Sequence, residues 1–288
     1  GLKSIGQVDG IGAKELSPSQ AEAFASIGEA FKSQKTVLLH GVTSSGKTEV
    51  YIQLIADQLE AGKNCLYLLP EIALTTQLIS RLEYHFKDRL LVYHSKMNNR
   101  ERLEVWNQVL QFGSEPYVVI GARSAVFLPY SKLGLIIIDE EHETAFKQQD
   151  PAPRYNGRDS AIMLSYLHKS NTILGSATPS LESYYNAKLG KYVLIELSER
   201  FGGVKLPKIE VVDVKESYKT KTMVHQFSPR LIEEMEETLS AGKKVILFQN
   251  RRGFAPVQKC LTCGHTPQCK HCDITLTYHK HTNLLKCH

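Results

Sequence analysis

Apolar residues in this chain gather into short unbroken runs separated by segments of helical period. Thr36–His40, Cys65–Leu69, Leu90–His94, Tyr117–Gly121, Leu135–Ile138 and Asn171–Gly175 are all of this kind. Continuous apolar runs, rather than alternating ones, mark strands buried on both faces, as in a parallel sheet. Between them, Glu49–Leu59 repeats apolar residues at helical spacing, and Asn98–Leu110 reads as a helix with Arg100, Glu101, Arg102 and Glu104 on its polar positions. Helices are also predicted from Ser17 to about Phe31 and from just after Pro70-Glu71 to about Phe86. Ser17 suits the N-cap of the first, and Pro18 its first helical position. Strands alternating with helices predict an α/β fold with a central parallel sheet.

The texture divides the chain. Residues 1–15 are glycine-rich and aperiodic and read as a linker, and residues 16–200 carry the strand–helix alternation. Phe201–Pro207 looks like a hinge, after which a helix over Pro229–Leu239 and a strand over Lys244–Phe248 predict a second lobe that has only begun, to about residue 258. Residues 259–288 hold most of the cysteines.

The first strand runs directly into Gly41-Val42-Thr43-Ser44-Ser45-Gly46-Lys47-Thr48, which fits G-x-x-x-x-G-K-[ST] at every fixed position. Strand, glycine loop and helix form the context this phosphate-binding pattern needs. Gly41 and Gly46 free the backbone so that successive N–H groups converge on an anion, and the helix adds its positive N-terminal end. Ser44, Ser45 and Glu49 complete the expected nucleotide contacts, Lys47 reaches the β- and γ-phosphates, and the Thr48 hydroxyl suits magnesium. Gln20 lies ahead of the loop; composition makes it a surface residue, although its amide has the groups to read an adenine edge.

Ile138-Asp139-Glu140-Glu141-His142 delivers acids at the C-terminal end of a buried strand, where parallel sheets bind ligands. Asp139 suits magnesium, and Glu140 suits orienting or deprotonating an attacking water. A solvated charge cluster is the plainer reading of these acids, but the phosphate loop about ninety residues earlier favours a catalytic one.

Composition narrows the field only modestly. The 288 residues are 42% hydrophobic and 23% charged, ordinary for a globular chain, and a net charge of +5 permits nucleic acid without requiring it. The start lacks a signal-like apolar segment and no apolar run is long enough for a bilayer, so a cytoplasmic, non-membrane protein is expected. Of six cysteines, Cys65 sits in a strand-like run, whereas Cys260, Cys263, Cys269, Cys272 and Cys287 crowd the C-terminal end. Two C-x-x-C pairs predict zinc, with Cys260, Cys263, Cys269 and Cys272 as one four-thiolate grouping and His288 as a weaker candidate ligand.

Asp139–His142 and Leu174-Gly175-Ser176-Ala177-Thr178-Pro179 resemble motifs II and III of superfamily 2 helicases. A finer resemblance, to the PriA family of replication-restart DNA helicases, covers the chain from about Leu16 onward. It rests on Gly41–Tyr51, Leu69–Thr75, Gly121–Phe127, Asp139–His142, Phe146–Gln149, Arg154-Tyr155, Asn250–Ala255 and the cysteines. The resemblance implies a RecA-like phosphate-loop NTPase lobe, the beginning of a second such lobe and an incomplete zinc-binding insertion. It makes Gln20 an adenine reader, Lys47, Asp139, Glu140 and His142 catalytic, and Arg123 and Ser124 contacts to single-stranded DNA. Residues from about Thr144 to Asp159 resemble an aromatic-rich loop that couples DNA to hydrolysis. There Phe146 and Tyr155 would stack on bases while Lys147, Arg154 and Arg158 attract phosphate, although Phe146 reads equally as a core anchor. The resemblance pairs Cys269 and Cys272 with a set beginning at Cys287. It further implies ATP or ADP, magnesium and zinc as cofactors, and single-stranded and forked DNA as substrates. Single-stranded DNA-binding protein and other primosome proteins are the implied partners of a bacterial, nucleoid-associated monomer. Motifs V and VI and the family's DNA-end-binding domain have no counterpart in these residues. A fragment that binds nucleotide but hydrolyses it poorly and cannot unwind DNA is therefore expected.

Overall fold

The computed structural model describes residues 15–111, 115–200, 207–248, 258, 260, 262–270, 272 and 274–287. Most of the expected linker and hinge, Asn250–Ala255 and His288 lie outside these residues. Gly1–Leu206 and Pro207–His288 form two compact units.

The first unit is built on seven strands, all parallel: β1 (Thr36–Gly41), β2 (Asn64–Leu68), β3 (Leu90–Tyr93), β4 (Val118–Gly121), β5 (Leu133–Asp139), β6 (Asn171–Ser176) and β7 (Tyr192–Leu197). Their order across the sheet is β3-β4-β2-β5-β6-β1-β7. The helices are α1 (Pro18–Lys32), α2 (Lys47–Glu60), α3 (Thr76–Phe86), α4 (Asn99–Gln111), α5 (Gly157–His168) and α6 (Leu181–Lys188). α1, α2 and α3 share one core with Val37, Leu39, Cys65, Tyr67, Leu135 and Ile137. α4, α5 and α6 share the other with Leu38, Leu66, Leu68, Ile136 and Ile138. Successive strand residues point to opposite faces, so each apolar run feeds both layers.

Local chemistry sets the helix starts. Ser17 and Gln20 make a reciprocal capping box at α1, and Asn98 and Glu101 do the same ahead of α4. Thr75, Asn156 and Ser180 cap α3, α5 and α6 with their side chains. α5, α6 and β7 are additions to the sequence reading. β7 is an edge strand whose apolar run, Tyr192–Ile195, pairs on one side with β1.

The second unit contains α7 (Val214–Lys219), α8 (Pro229–Ser240) and an antiparallel hairpin of β8 (Thr277–His279) and β9 (Leu284–Lys286). The helix expected at Pro229 forms, but the strand expected over Lys244–Phe248 does not. Among the described residues nothing pairs with it, and Ile246 and Phe248 are 94% and 83% exposed. A strand forms only when neighbours take up its N–H and C=O groups.

Candidate nucleotide site and cysteine cluster

β1, β6 and β5 lie side by side, so the loops after β1 and β5 emerge two strands apart on the same edge of the sheet. That edge is the C-terminal one, where open parallel sheets bind ligands. A cleft of about 310 Å³ opens there, lined by Ser44–Glu49, Arg81, Asp139 and Glu140.

The phosphate loop is shaped for a ligand. Ser44 and Gly46 take left-handed backbone angles, φ +66° and +81°. No side chain fits at Gly46, where a Cβ would lie 2.0 Å from the Gln20 amide nitrogen. Lys47 Nζ folds back onto the Gly41 carbonyl at 2.8 Å. The Ser45 hydroxyl is buried without a partner, and such an orphaned group is costly unless something accepts it. A glycine cradle, a hydroxyl without a partner among the described residues and a lysine resting on the Gly41 carbonyl fit a nucleotide's phosphates.

Gln20 is not a surface residue: it is 1% exposed. Its carbonyl caps Ser17 N–H at 2.9 Å, and its amide donates to the Ser45 carbonyl at 3.0 Å. Glu49 pairs with Arg81 of α3, a cleft residue that sequence reasoning missed because its helix lies far along the chain.

Asp139 ends β5 and is buried, 8% exposed at the floor of the cleft. Its Oδ1 accepts from Tyr51 Oη at 3.2 Å and from Glu140 N–H at 3.1 Å, and its Oδ2 accepts from Tyr67 Oη at 3.2 Å. Burial pushes its carboxyl up to about 6, against the opposing pull of Lys47. Burial, then the Asp139 charge, raises both tyrosines well above their ordinary range. Glu140 follows at φ +50°, a left-handed turn that non-glycine residues adopt at a cost and that recurs at functional sites. It leaves β5 with its carboxylate toward the cleft, 3.6 Å from His142 Nδ1.

His142 meets the loop after β6. Its Nδ1 and the Ser176 hydroxyl are 2.7 Å apart, Ser176 Oγ accepts from Thr178 N–H at 2.9 Å, and Thr178 Oγ1 lies 3.4 Å from Nε2. Glu141, turned the other way, is 2% exposed. It accepts from Ser180 N–H and Oγ, Ser183 Oγ and Arg158 Nη1, at 2.7, 2.9, 2.8 and 3.0 Å. This hub ties the start of α5 and the cap of α6 to the end of β5.

The expected DNA contacts divide. Arg123 and Ser124 are half-buried beyond β4; Arg123 reaches the carbonyls of Ala145 and Lys147, and Gly157 packs against its stem. Lys147 and Arg154 are exposed. Tyr155 is half-buried and stacks edge-on to Phe127 at 4.8 Å. Phe146 is corrected: at 2% exposure it belongs to the core below the loop and presents no face to a base. Arg158 is corrected as well, because its guanidinium is committed to Glu141, Asp159 and Ser180.

In the second unit, the β8–β9 hairpin returns Cys287 to Cys269 and Cys272, and the three sulfurs lie within 4.8 Å of one another. The Gly264 N–H bonds the Cys260 carbonyl at 2.9 Å, with Gly264 at φ +71°, yet among the described residues Cys260 and Cys263 do not join that group. The structure thus brings together the Cys269, Cys272 and Cys287 set that the resemblance implied, and corrects the alternative four-thiolate grouping of both C-x-x-C pairs, because the hairpin returns a partner distant in sequence. Hydrogen bonds to Cys272 and Cys269 push the Cys287 thiol up to about 12. A cation reverses that crowding, since thiolate is the ligand form, and three convergent sulfurs suit zinc.

Among the described residues no helix is long and apolar enough to cross a membrane. Residues 17–187 match the family model of DEAD/DEAH box helicases, and residues 269–288 match that of the PriA DNA helicase Cys-rich region. The chain is 42% identical over 275 residues to replication restart protein PriA of Bacillus subtilis, covering 95% of itself and 34% of that protein. It is 44% identical over 274 residues to replication restart protein PriA of Haemophilus influenzae, covering 95% of itself and 36% of that protein. It thus spans about a third of these relatives' length. The structure of RecG bound to a three-way DNA junction is similar in fold, with a TM-score of 0.50 at 22% identity, over 79% of this chain and 31% of that one. Carrying both the motor-lobe match and the cysteine-rich match, the chain belongs to the DEAD/DEAH box helicase family, with the Cys-rich region of the PriA DNA helicases.

Proposed function

We propose that this chain is the nucleotide-binding motor lobe of an ATP-dependent, 3′→5′ DNA helicase that remodels stalled replication forks and begins primosome assembly. The observation that carries the reading is the single cleft faced by Lys47 and Thr48 from one strand end and by Asp139 and Glu140 from another. Its relatives, named as replication restart proteins, support the biological setting.

In this reading ATP or ADP binds at Gly41–Thr48, whose backbone N–H groups and Ser45 hydroxyl receive the phosphates. Lys47 exchanges its bond to the Gly41 carbonyl for the β- and γ-phosphates. Thr48 and Asp139 would hold magnesium, which would supply positive charge against the phosphates. Glu140 orients the attacking water or takes its proton. Gln20, buried with its carbonyl on the helix cap and its amide on the Ser45 carbonyl, holds the phosphate loop's shape rather than presenting an edge to adenine. His142, joined to Ser176 and Thr178, transmits the nucleotide state to the surface carrying Arg123, Ser124, Lys147, Arg154 and Tyr155. Those residues contact the backbone of single-stranded or forked DNA. Cys269, Cys272 and Cys287 would hold zinc, which would steady the hairpin. Single-stranded DNA-binding protein and other primosome proteins are the proposed partners of a monomeric, cytoplasmic protein.

Titration with fluorescent methylanthraniloyl-ADP and magnesium tests the reading. Tight binding that weakens about tenfold or more in Lys47→Ala is expected from loss of a phosphate-paired ammonium. No binding by the wild type, or equal binding by the variant, overturns it.

A further inference from the structure

Tyr51 and Tyr67 belong to none of the residue types that phosphate-loop chemistry requires, yet both are fully buried and aim at one carboxylate. Tyr51 comes from the first turns of α2, Tyr67 from β2 and Asp139 from the end of β5. Three elements distant in sequence therefore converge on one side chain. A buried phenol needs a partner for its hydroxyl, and both hydroxyls take the two oxygens of the acid assigned to the cation.

The fit is close on every side. The two rings meet edge to face, with centroids 5.6 Å apart. The Tyr51 hydroxyl occupies the space a side chain at position 175 would need: a Cβ there would lie 1.8 Å from it and 3.0 Å from Asp139 Oδ1. Gly175 stands beside Asp139 in the sheet register, so a glycine in β6 is what lets Tyr51 reach across. A carboxylate offers about four acceptor positions. The two phenols and Glu140 N–H take three of them, leaving about one directed toward the cleft.

We propose that Tyr51 and Tyr67 are positioning residues for the divalent cation. They clamp the Asp139 carboxylate from both oxygens, so that it stands in one arrangement when nucleotide and magnesium enter. The proposal rests on the nucleotide reading above and deepens it. Tyrosines that served packing alone would contribute through their rings, and their hydroxyls would be indifferent to the cation.

Phenylalanine replacement separates the two roles, because it keeps the ring and removes the hydroxyl. Methylanthraniloyl-ADP is titrated into the whole chain, once with EDTA and once across a magnesium series, for wild type, Tyr51→Phe, Tyr67→Phe and Gly175→Ala. In EDTA both phenylalanine variants are expected to match wild type within about twofold. The magnesium-dependent gain in affinity is expected to fall about fivefold in each, the size of one lost hydrogen bond. Gly175→Ala, which evicts the Tyr51 hydroxyl, reproduces Tyr51→Phe. An unchanged magnesium gain in both phenylalanine variants overturns the clamp and leaves the nucleotide reading standing. Equal losses with EDTA and magnesium assign the tyrosines to packing and overturn it too, as does a wild type that binds ADP with no magnesium gain. Absence of ADP binding by the wild type removes the nucleotide reading, and the clamp with it.

Discussion

The same kind of apolar run meets two fates in this chain. Leu135-Ile136-Ile137-Ile138 is a strand with every residue fully buried, whereas Ile246-Leu247-Phe248 forms no strand and stands largely exposed. The first lies between β2 and β6 under helices on both faces. The second has no neighbour among the described residues to pair with. Periodicity reports what a segment can bury, and pairing decides whether it does. The cysteine hairpin takes a third course. Its strands are short and exposed or half-buried, and its ends converge on three sulfurs rather than on an apolar core.

The comparison breaks most sharply if a metal organises the hairpin unit alone. Chelation is expected to remove about one zinc per chain by elemental analysis and to abolish amide protection in residues 269–287, because zinc binding to such a unit is folding free energy. ADP affinity should not change, and a matching loss of ADP binding would show that the sheet depends on the metal too.

Within the sheet unit, Glu141→Ala is expected to cost about 3–5 kcal/mol, since it leaves the Arg158 guanidinium, 15% exposed, without its buried partner. Chemical denaturation measures this, and a loss under about 1 kcal/mol would show that Ser180 and Asp159 suffice for Arg158. Ile137→Ala in β5 is expected to cost about 2–5 kcal/mol by opening a cavity.

Asp139 yields a prediction in pH. Its folded pKa of about 6 is raised by burial, so the folded chain holds the proton more tightly than the unfolded one. The group therefore favours the fold at low pH and opposes it as pH rises through about 6. Magnesium needs the ionised form. The magnesium gain in ADP affinity should fall about fourfold between pH 7.5 and 5.5, from the ionised fraction alone. Asp139→Asn, titrated alongside, corrects for protonation of the nucleotide, and an equal fall in that variant would remove Asp139 as the cause. The smallest effect is expected at Phe248→Ser, within about 0.5 kcal/mol, since an exposed residue away from any core loses little. A large loss there would show that this segment is packed after all.

Much of the sheet unit was legible because its signals are local. Six of its seven strands announce themselves as apolar runs, and Ser17, Pro18 and the glycine loop mark their elements by short-range chemistry. β7 escaped notice at the sheet edge, where its residues are only partly buried. α5 and α6 escaped because the positions they bury are small, Gly157, Ala161 and Ser165 in one and Ser183 in the other, so no stripe of large apolar residues marks them.

The site was legible in part. Lys47, Thr48, Asp139 and Glu140 were found from spacing, because phosphate and metal chemistry restricts residue type. Gln20, Phe146 and Arg158 show the limit: nothing in composition says that an amide will be 1% exposed, a ring will sit in the core or a guanidinium will be spent on Glu141.

By itself, the sequence determined the parallel α/β class, the phosphate loop with its helix, the acids closing β5 and the thiols fit for a metal. Each follows from the stereochemistry of a few neighbouring residues. Only the tertiary structure decided that β5 and β1 flank β6, and that Tyr51 and Tyr67 close on Asp139 across the space left by Gly175. Those outcomes depend on strand order and on burial shared between distant segments, which no local pattern encodes.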